Sequence, residues 1–478
     1  MSVEIAPLYL DVGLGAGALM VLVVDLFLPT VAKRGLGYLT ALILAGLLAA
    51  SFFIDTEGVA VFGAYQGSAW TTFFKRMFLA AGVLAALGSI DHVAQHHRHR
   101  QGEYYLLLLC SLLGMTLLPG VRDLVLLFVC FELMGIPLYV LASYGKNDIE
   151  GTKAPTGPEA GLKLYIVGTA STAITLFGLS LIFGMTGTTA IAGIGSASAS
   201  PLLILGLLMV LAGMSFKIGA VPFHFWVPDT YQGAHTPFVA FLSVAPKIAA
   251  FGALAVIFLD GLATQQDRWL PIVVAVSLVT LVVGNLSALV QDNVKRLLAF
   301  SGVGHIGYML MAFATADAYG LGMLLFYCAG YLVTNIGTFL VVEAVAASGG
   351  DDSISSYNGL ARRSPYLALA MLLFLLSLAG IPFVIGFWAK LSVFMAAWKA
   401  GLYLLVVVGA VLAVLALFYY LRVARAMYME PPGNLPIPRG SVSLQLAIGI
   451  CLAAVVLAGL WPGPVVDAAL DAARSFFA

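Results

Sequence analysis

Apolar runs of about 20 residues, the length an α-helix needs to cross ~30 Å of hydrocarbon, recur roughly fourteen times along this chain. They start near residues 8, 36, 73, 104, 121, 158, 200, 232, 270, 296, 320, 364, 401 and 441. Between them, the longest polar connections, around 186–199, 347–363 and 428–440, have only the length of loops. Of 478 residues, 61% are hydrophobic and 10% charged, against roughly 45–50% and about 25% in soluble domains. A soluble globule has no way to hide that much apolar surface, and the same figures exclude disorder. The expected fold is an all-α polytopic membrane protein of about fourteen transmembrane helices. The first run is read as a retained span, because Glu4 precedes it, Asp11 lies in it and it has no basic leader.

Orientation follows from the basic residues. With the N-terminus outside, alternate loops collect Lys33, Arg34, Arg98, Arg100, Lys146, Lys153, Lys295, Arg296, Arg362, Arg363, Arg422, Arg425 and Arg439 on the cytoplasmic face. The opposite face receives only Lys75, Arg76, Arg122, Arg268, Lys399 and Arg474. Both termini are therefore expected outside. Lysine plus arginine balances aspartate plus glutamate at 23 each, so a nucleic-acid partner is not expected. Cys110, Cys130, Cys328 and Cys451 sit in apolar runs and are read as packing residues.

Four lysines and one acid fall inside spans. A charge near the bilayer centre costs about 2.5–3.5 kcal/mol on insertion scales. Glu132 lies midway along 124–144 and Lys247 is centred in 238–259. Lys217 sits in a segment, about 200–230, that would be ~46 Å long as unbroken helix, so it must break, at Gly219, Pro222 and Pro228. Residues 364–399 repeat the situation, with Gly380, Pro382 and Gly386 at the break and Lys390 beyond it. Lys217, Lys247 and Lys390 lie roughly ten or more residues from a span end, ~15 Å deep, further than a snorkelling stem covers comfortably. Lys163, nearer the cytoplasmic end, is either a snorkelling residue or part of the buried set. Desolvation favours a neutral lysine and a nearby carboxylate the charged form, so a buried lysine with a mobile acidic partner is a switchable proton site.

The two broken segments resemble each other: GAVPFHFW (219–226) and AGIPFVIGFW (379–388). They are the seventh and twelfth spans, five apart and oppositely directed, as two inverted five-helix repeats would be. The expected division is an N-terminal three-helix segment at 1–103, repeats at 104–262 and 263–430, and a C-terminal transmembrane helix at 431–478. The two lysines are not simple repeat equivalents, since Lys217 precedes its proline and Lys390 follows its own.

These stretches resemble the antiporter-like membrane subunits of respiratory complex I, the proton-pumping NADH:quinone oxidoreductase, and within them the subunit N family. The similarity covers about residues 104–430, most strongly FELMGIPLYVLASY (131–144), EAGLKLYIVGTA (159–170), the block 216–251, NVKRLLAFSGVGHIGYM (293–309) and SLAGIPFVIGFWAKLSVF (377–394). SVAPK places Lys247 as subunit N does, whereas subunits L and M and Mrp-type antiporters look like HAATMV there. Lys390 stands where subunit M would have Glu, and the chain ends at Ala478 without the lateral helix of subunit L. The resemblance implies a coupled Glu132–Lys217 pair, a central Lys247, Lys390 facing the next subunit, His305 in a connecting polar axis and Lys163 joining the same chain of groups. It further implies no cofactor in this chain, flavin and iron–sulfur clusters on partner subunits, quinone used by the complex, small subunits K and J on one side and subunit M on the other. The implied setting is the bacterial inner membrane. An Mrp-type Na⁺/H⁺ antiporter subunit is the alternative.

Three departures stand out. YEGAPTP becomes YQGAHTP, with Gln232 and His235; SSIAHMGY becomes SGVGHIGY, losing a hydroxyl at Gly302; ELMSLPLY becomes ELMGIPLY, losing one at Gly135. His224, at the first break, is read either as a proton relay or as a packing hydrogen bond. His92, His96, His97, His99, Arg98 and Arg100, clustered at and beside QHHRHR (95–100), are read as a solvated cytoplasmic loop in preference to a metal site, and Asp25, Asp123 and Glu343 as exposed residues near span ends. Neither a nucleotide-binding turn nor a CxxC pair is read in the chain. A thiol-reactive probe confined to the outer face should label cysteines introduced at position 477 and near residue 5, and leave one at position 99 untouched. Labelling at position 99 from outside would invert the assignment.

Overall fold

The computed structural model describes residues 5–60, 63–144, 156–195, 200–433, 436–438 and 440–478. Lys146, Lys153 and Arg439, counted above on the basic face, lie outside them. Among the described residues, 12 helices are long and apolar enough to cross a membrane. The shorter apolar helices Gly35–Ala50 and Pro365–Ala379 fall where two further crossings are expected. Several helices begin where a side chain answers the orphan N–H groups of a first turn. Asp123 accepts from the amides of Val125 and Leu126, Ser200 from Leu203, Asn293 from Arg296 and Asp317 from Gly320.

Close backbone approach fixes the helix pairs, as it does in lipid where small residues drive packing. A Cβ on Gly178 would come within 2.7 Å of the Gly206 carbonyl, joining Thr156–Thr186 to Pro201–Ile218. One on Gly284 would meet the Gly304 amide at 2.3 Å, joining Gln266–Leu289 to Val294–Phe313. Residues 302–307 read GVGHIG, the GxGxxG spacing, which corrects the reading that no such turn is present. They lie inside the helix Val294–Phe313 with no strand before them, so they are helix packing and not a nucleotide cradle.

Both expected breaks are present. Helix Pro201–Ile218 ends at Gly219 (φ 78°) and resumes at Trp226–Gly233. Helix Pro365–Ala379 ends at Gly380 (φ 86°) and resumes at Ile385–Lys399. The left-handed conformation requires glycine at these two stops. A third interruption was not read from the sequence: Thr236–Leu242 and Ala245–Leu254 are separated at Ser243–Val244, followed by a π-helical stretch Ala255–Gly261. Asn335 donates to Ser243 Oγ at 2.7 Å across this gap.

Side-chain contacts collect the charges at two ends of the bundle. At the basic end Arg34 pairs with Asp91, Arg296 with Asp229, Lys295 with Asp352 and Lys33 with Asp25. At the other end a short antiparallel hairpin, Gly58–Ala60 with Tyr65–Gly67, adds a little β-structure to the all-α expectation. There the chain closes with Gly463–Phe477, a second helix beyond the single one expected for 431–478. It is amphipathic: Ala469, Ala472 and Ala473 are buried while Asp471 and Arg474 pair outside. Ser475 accepts from the Trp70 amide at 3.0 Å.

Four ionisable residues depart from their expected places. Lys75, counted on the outer face, is fully buried; its ammonium donates to Asp11 at 2.5 Å and to the Pro7 carbonyl at 2.8 Å. Glu343 is buried rather than exposed, and its carboxylate accepts from His92 Nδ1 at 2.9 Å. His92 and His96 belong to the helix Ala69–His96, not to a loop. Removing one partner of a buried ion pair costs about 3–5 kcal/mol, whereas replacing both by well-packed apolar groups is often neutral. Asp11→Ala should therefore sharply lower the thermal stability of the assembled protein in detergent. The double variant Asp11→Leu/Lys75→Met should recover most of the loss.

Candidate functional site

The buried lysines lie near helix stops. Lys217 is in the last turn before Gly219. Its Nζ donates to Tyr139 Oη at 3.1 Å and sits 6.0 Å from the centre of the Phe131 ring. Glu132 accepts from Thr172 Oγ1 at 2.9 Å. Glu132 and Lys217 line one small cavity with Thr172, Thr175 and Gly213, about 10 Å³ of it open to a water's centre, which is on the order of one water. Among the described residues no direct ion pair joins the two. They are partners across a gap, with hydroxyl-bearing side chains on each side.

Among the described residues, Lys247 stands out as an isolated buried cation. It is 1% exposed and its Nζ finds no protein hydrogen-bond partner. It lies 5.4 Å above the Tyr231 ring, a cation–π contact. The buried hydroxyls of Tyr231 and Tyr331 also lack protein partners. Buried polar groups are satisfied by protein or ordered water, so three orphan groups on neighbouring walls mark a place that water must serve. Gly302 explains part of this. A Cβ there would stand 3.0 Å from Tyr331 Oη and 3.4 Å from Lys247 Nζ. Gly135 occupies the matching place for Lys217, its Cβ position 3.2 Å from Nζ and 3.3 Å from Tyr139 Oη. Both missing hydroxyls therefore border a lysine ammonium.

Beyond Lys247 a hydrogen-bonded stretch begins. His305 Nδ1 meets Tyr327 Oη at 2.6 Å and Nε2 meets Tyr420 Oη at 3.3 Å, and Tyr420 in turn bonds Ser301. The His305 and Tyr331 rings are 5.1 Å apart. Lys390 Nζ donates to the Ala379 carbonyl at 3.0 Å and lies 5.1 Å above the Tyr308 ring. His305, Tyr327, Tyr331, Thr334, Ser377 and Lys390 line one further small cavity. The structure thus brings Lys247, His305 and Lys390 to one tyrosine-lined core, and Glu132 with Lys217 to another pocket.

Two expected residues stand apart. Lys163 is 46% exposed at its side chain and pairs with Glu159 at 2.9 Å and Asp229 at 3.0 Å. That is the snorkelling alternative, with Asp229 also tied to Arg296 at 2.9 Å. His224 is buried beside Phe225, ring centres 4.7 Å apart, and its Nδ1 has no protein partner. It makes no packing hydrogen bond through that atom. Tyr327, Tyr331 and Tyr420 were missed in the sequence, since a tyrosine in an apolar run carries no signal of which neighbour its hydroxyl will meet.

A family described as NADH:quinone oxidoreductase/Mrp antiporter, transmembrane, matches residues 121–416. The chain is 40% identical to the NADH-quinone oxidoreductase subunit N of Moorella thermoacetica, over 100% of this chain and 98% of that one. It superposes on a chain of respiratory complex I from Thermus thermophilus with bound aureothin at a TM-score of 0.81 and 30% identity, covering 96% of this chain and 98% of the other. A chain of the Mrp complex from Dietzia sp. shares the fold at a TM-score of 0.86 and 22% identity, over 99% and 97%. Identity over nearly the whole length, together with the broken helices and the lysines near their stops, makes this chain a member of the NADH:quinone oxidoreductase/Mrp antiporter transmembrane family and, within it, of the subunit N family.

Proposed function

We propose that the chain is the proton-translocating membrane-arm subunit of an NADH:quinone oxidoreductase, and that it moves protons through its buried lysines while electron transfer from NADH to quinone occurs elsewhere in the complex. The single observation that carries this is Lys247: a buried ammonium with no anion and no hydrogen-bond partner, facing orphan tyrosine hydroxyls next to His305 and Lys390. A cation kept for structure would have a counter-charge, as Lys75 has in Asp11.

A proton enters from the cytoplasmic face toward Lys217, whose affinity for it depends on how closely Glu132 approaches across their cavity. It passes to Lys247, then by the Tyr331–His305–Tyr327 cluster to Lys390, and leaves on the outer side when charge motion in neighbouring subunits perturbs Lys390. Among the described residues no hydrogen bond links Lys217 to Lys247, so that step runs through water. Lys163, held by Asp229 at the basic end, serves the entrance and not the buried axis. His224 is a relay candidate at the break. Moving a charge against the membrane potential costs about 2.3 kcal/mol per 100 mV, and each unit of pKa change supplies about 1.4 kcal/mol, so modest changes in lysine environment are enough.

Flavin and iron–sulfur clusters reside on partner subunits, small subunits K and J lie on one side and subunit M on the other, and the complex sits in the bacterial inner membrane with both termini of this chain periplasmic. Purification of the tagged chain from its native membrane in mild detergent should yield a large assembly with flavin and iron–sulfur absorbance and NADH-dependent quinone reduction. A small assembly showing Na⁺-dependent proton exchange would favour the antiporter instead. In the assembled complex, Lys217→Ala and Lys247→Ala should lower proton pumping and quinone reduction together by on the order of tenfold, equivalent to about 1.4 kcal/mol. Normal pumping in either variant removes that residue from the path.

A further inference from the structure

Three histidines far apart in sequence meet at the basic end of the bundle. His92 is in the last turns of Ala69–His96, His97 caps that helix, and His235 stands before Thr236–Leu242, just after the broken seventh span. One ligand nitrogen from each lies within 4.8 Å of the others. The His97 and His235 rings are 5.0 Å apart and those of His92 and His235 4.8 Å.

The outward-facing nitrogens are already committed. His92 Nδ1 bonds the Glu343 carboxylate at 2.9 Å, and His235 Nε2 donates to the Tyr144 carbonyl. A backbone carbonyl only accepts, so the His235 proton is on Nε2 and its Nδ1 carries a lone pair. With Glu343 ionised, the His92 proton is on Nδ1 and its Nε2 also carries a lone pair. These two lone pairs face each other at 3.0 Å. Such a contact is repulsive unless a cation sits between the rings. Carboxylate and carbonyl partners on the far nitrogens are what orient imidazoles toward a metal.

We propose that His92, His97 and His235 form a binding site for a divalent transition metal of the zinc type. Three imidazoles supply a neutral nitrogen set suited to zinc, with a fourth position left for water. Glu343 balances the charge through His92 without touching the metal. Lys295 borders the same space but is paired with Asp352 at 3.3 Å. A cavity of about 740 Å³, lined by His92, His235 and Glu343, gives a metal ion access. The metal would tie the end of the third span to the link between the seventh and eighth.

The test is equilibrium binding of ZnCl₂ to the intact purified complex, comparing wild type with His235→Pro and His92→Gln. The wild type should bind one equivalent more than either variant, with tight binding of that equivalent lost and the assembled complex retained. Equal stoichiometry and affinity in all three overturns the site and leaves a shared proton as the cation between the rings. Should the variants fail to assemble, cryo-EM maps of the wild-type complex with ZnCl₂ and with EDTA decide. A difference peak coordinated by the three rings supports the site, and its absence overturns it.

Discussion

A helix that stops inside an apolar bundle leaves carbonyl groups with no intrahelical donor, and lipid offers none. Much of the interior follows from how this chain answers that demand at Gly219 and Gly380. The negative end of a helix dipole favours a cation. At Gly219 a neutral donor helps instead: Trp226 Nε1 donates to the Phe216 carbonyl at 3.1 Å, while Lys217, in the last turn, sends its ammonium to Tyr139. At Gly380 Lys390 supplies the cation, reaching back 11 residues to the Ala379 carbonyl. The lysines stand on opposite sides of their prolines, and only Lys390 meets the carbonyl end of the first half of its broken span.

The spans and both glycine breaks were legible because length and Gly/Pro placement each follow from a local rule. So was the burial of Lys247 and Lys390. Side-chain partnership was not. Asp11 and Lys75 are 64 positions apart and His92 and His235 are 143 apart, so no window contains either pair. The Ser243–Val244 interruption escaped for a different reason: Pro246 follows it at the start of a new helical segment, where proline is at home, and the hydrophobic run continues unbroken. The closing helix Gly463–Phe477 was overlooked because small alanines, not large apolar residues, form its buried face.

Similarity to the Mrp chain shows that the scaffold alone does not choose between a subunit driven by redox chemistry and one exchanging ions. Within this chain, charge placement differs between the interior and the basic end. Lys247 has no acid beside it, whereas ion pairs and bound histidines crowd the basic end, at Arg34–Asp91, Lys295–Asp352 and His92–Glu343.

The Asp11–Lys75 pair also sets a timing problem for synthesis. Asp11 enters the membrane in the first span, while its counter-ion is still untranslated. For that interval the nascent helix carries an acid in its first turn with no counter-ion. Only when the third span arrives is the charge neutralised, so the N-terminal helix is committed to its final position by a residue that emerges from the ribosome two spans later.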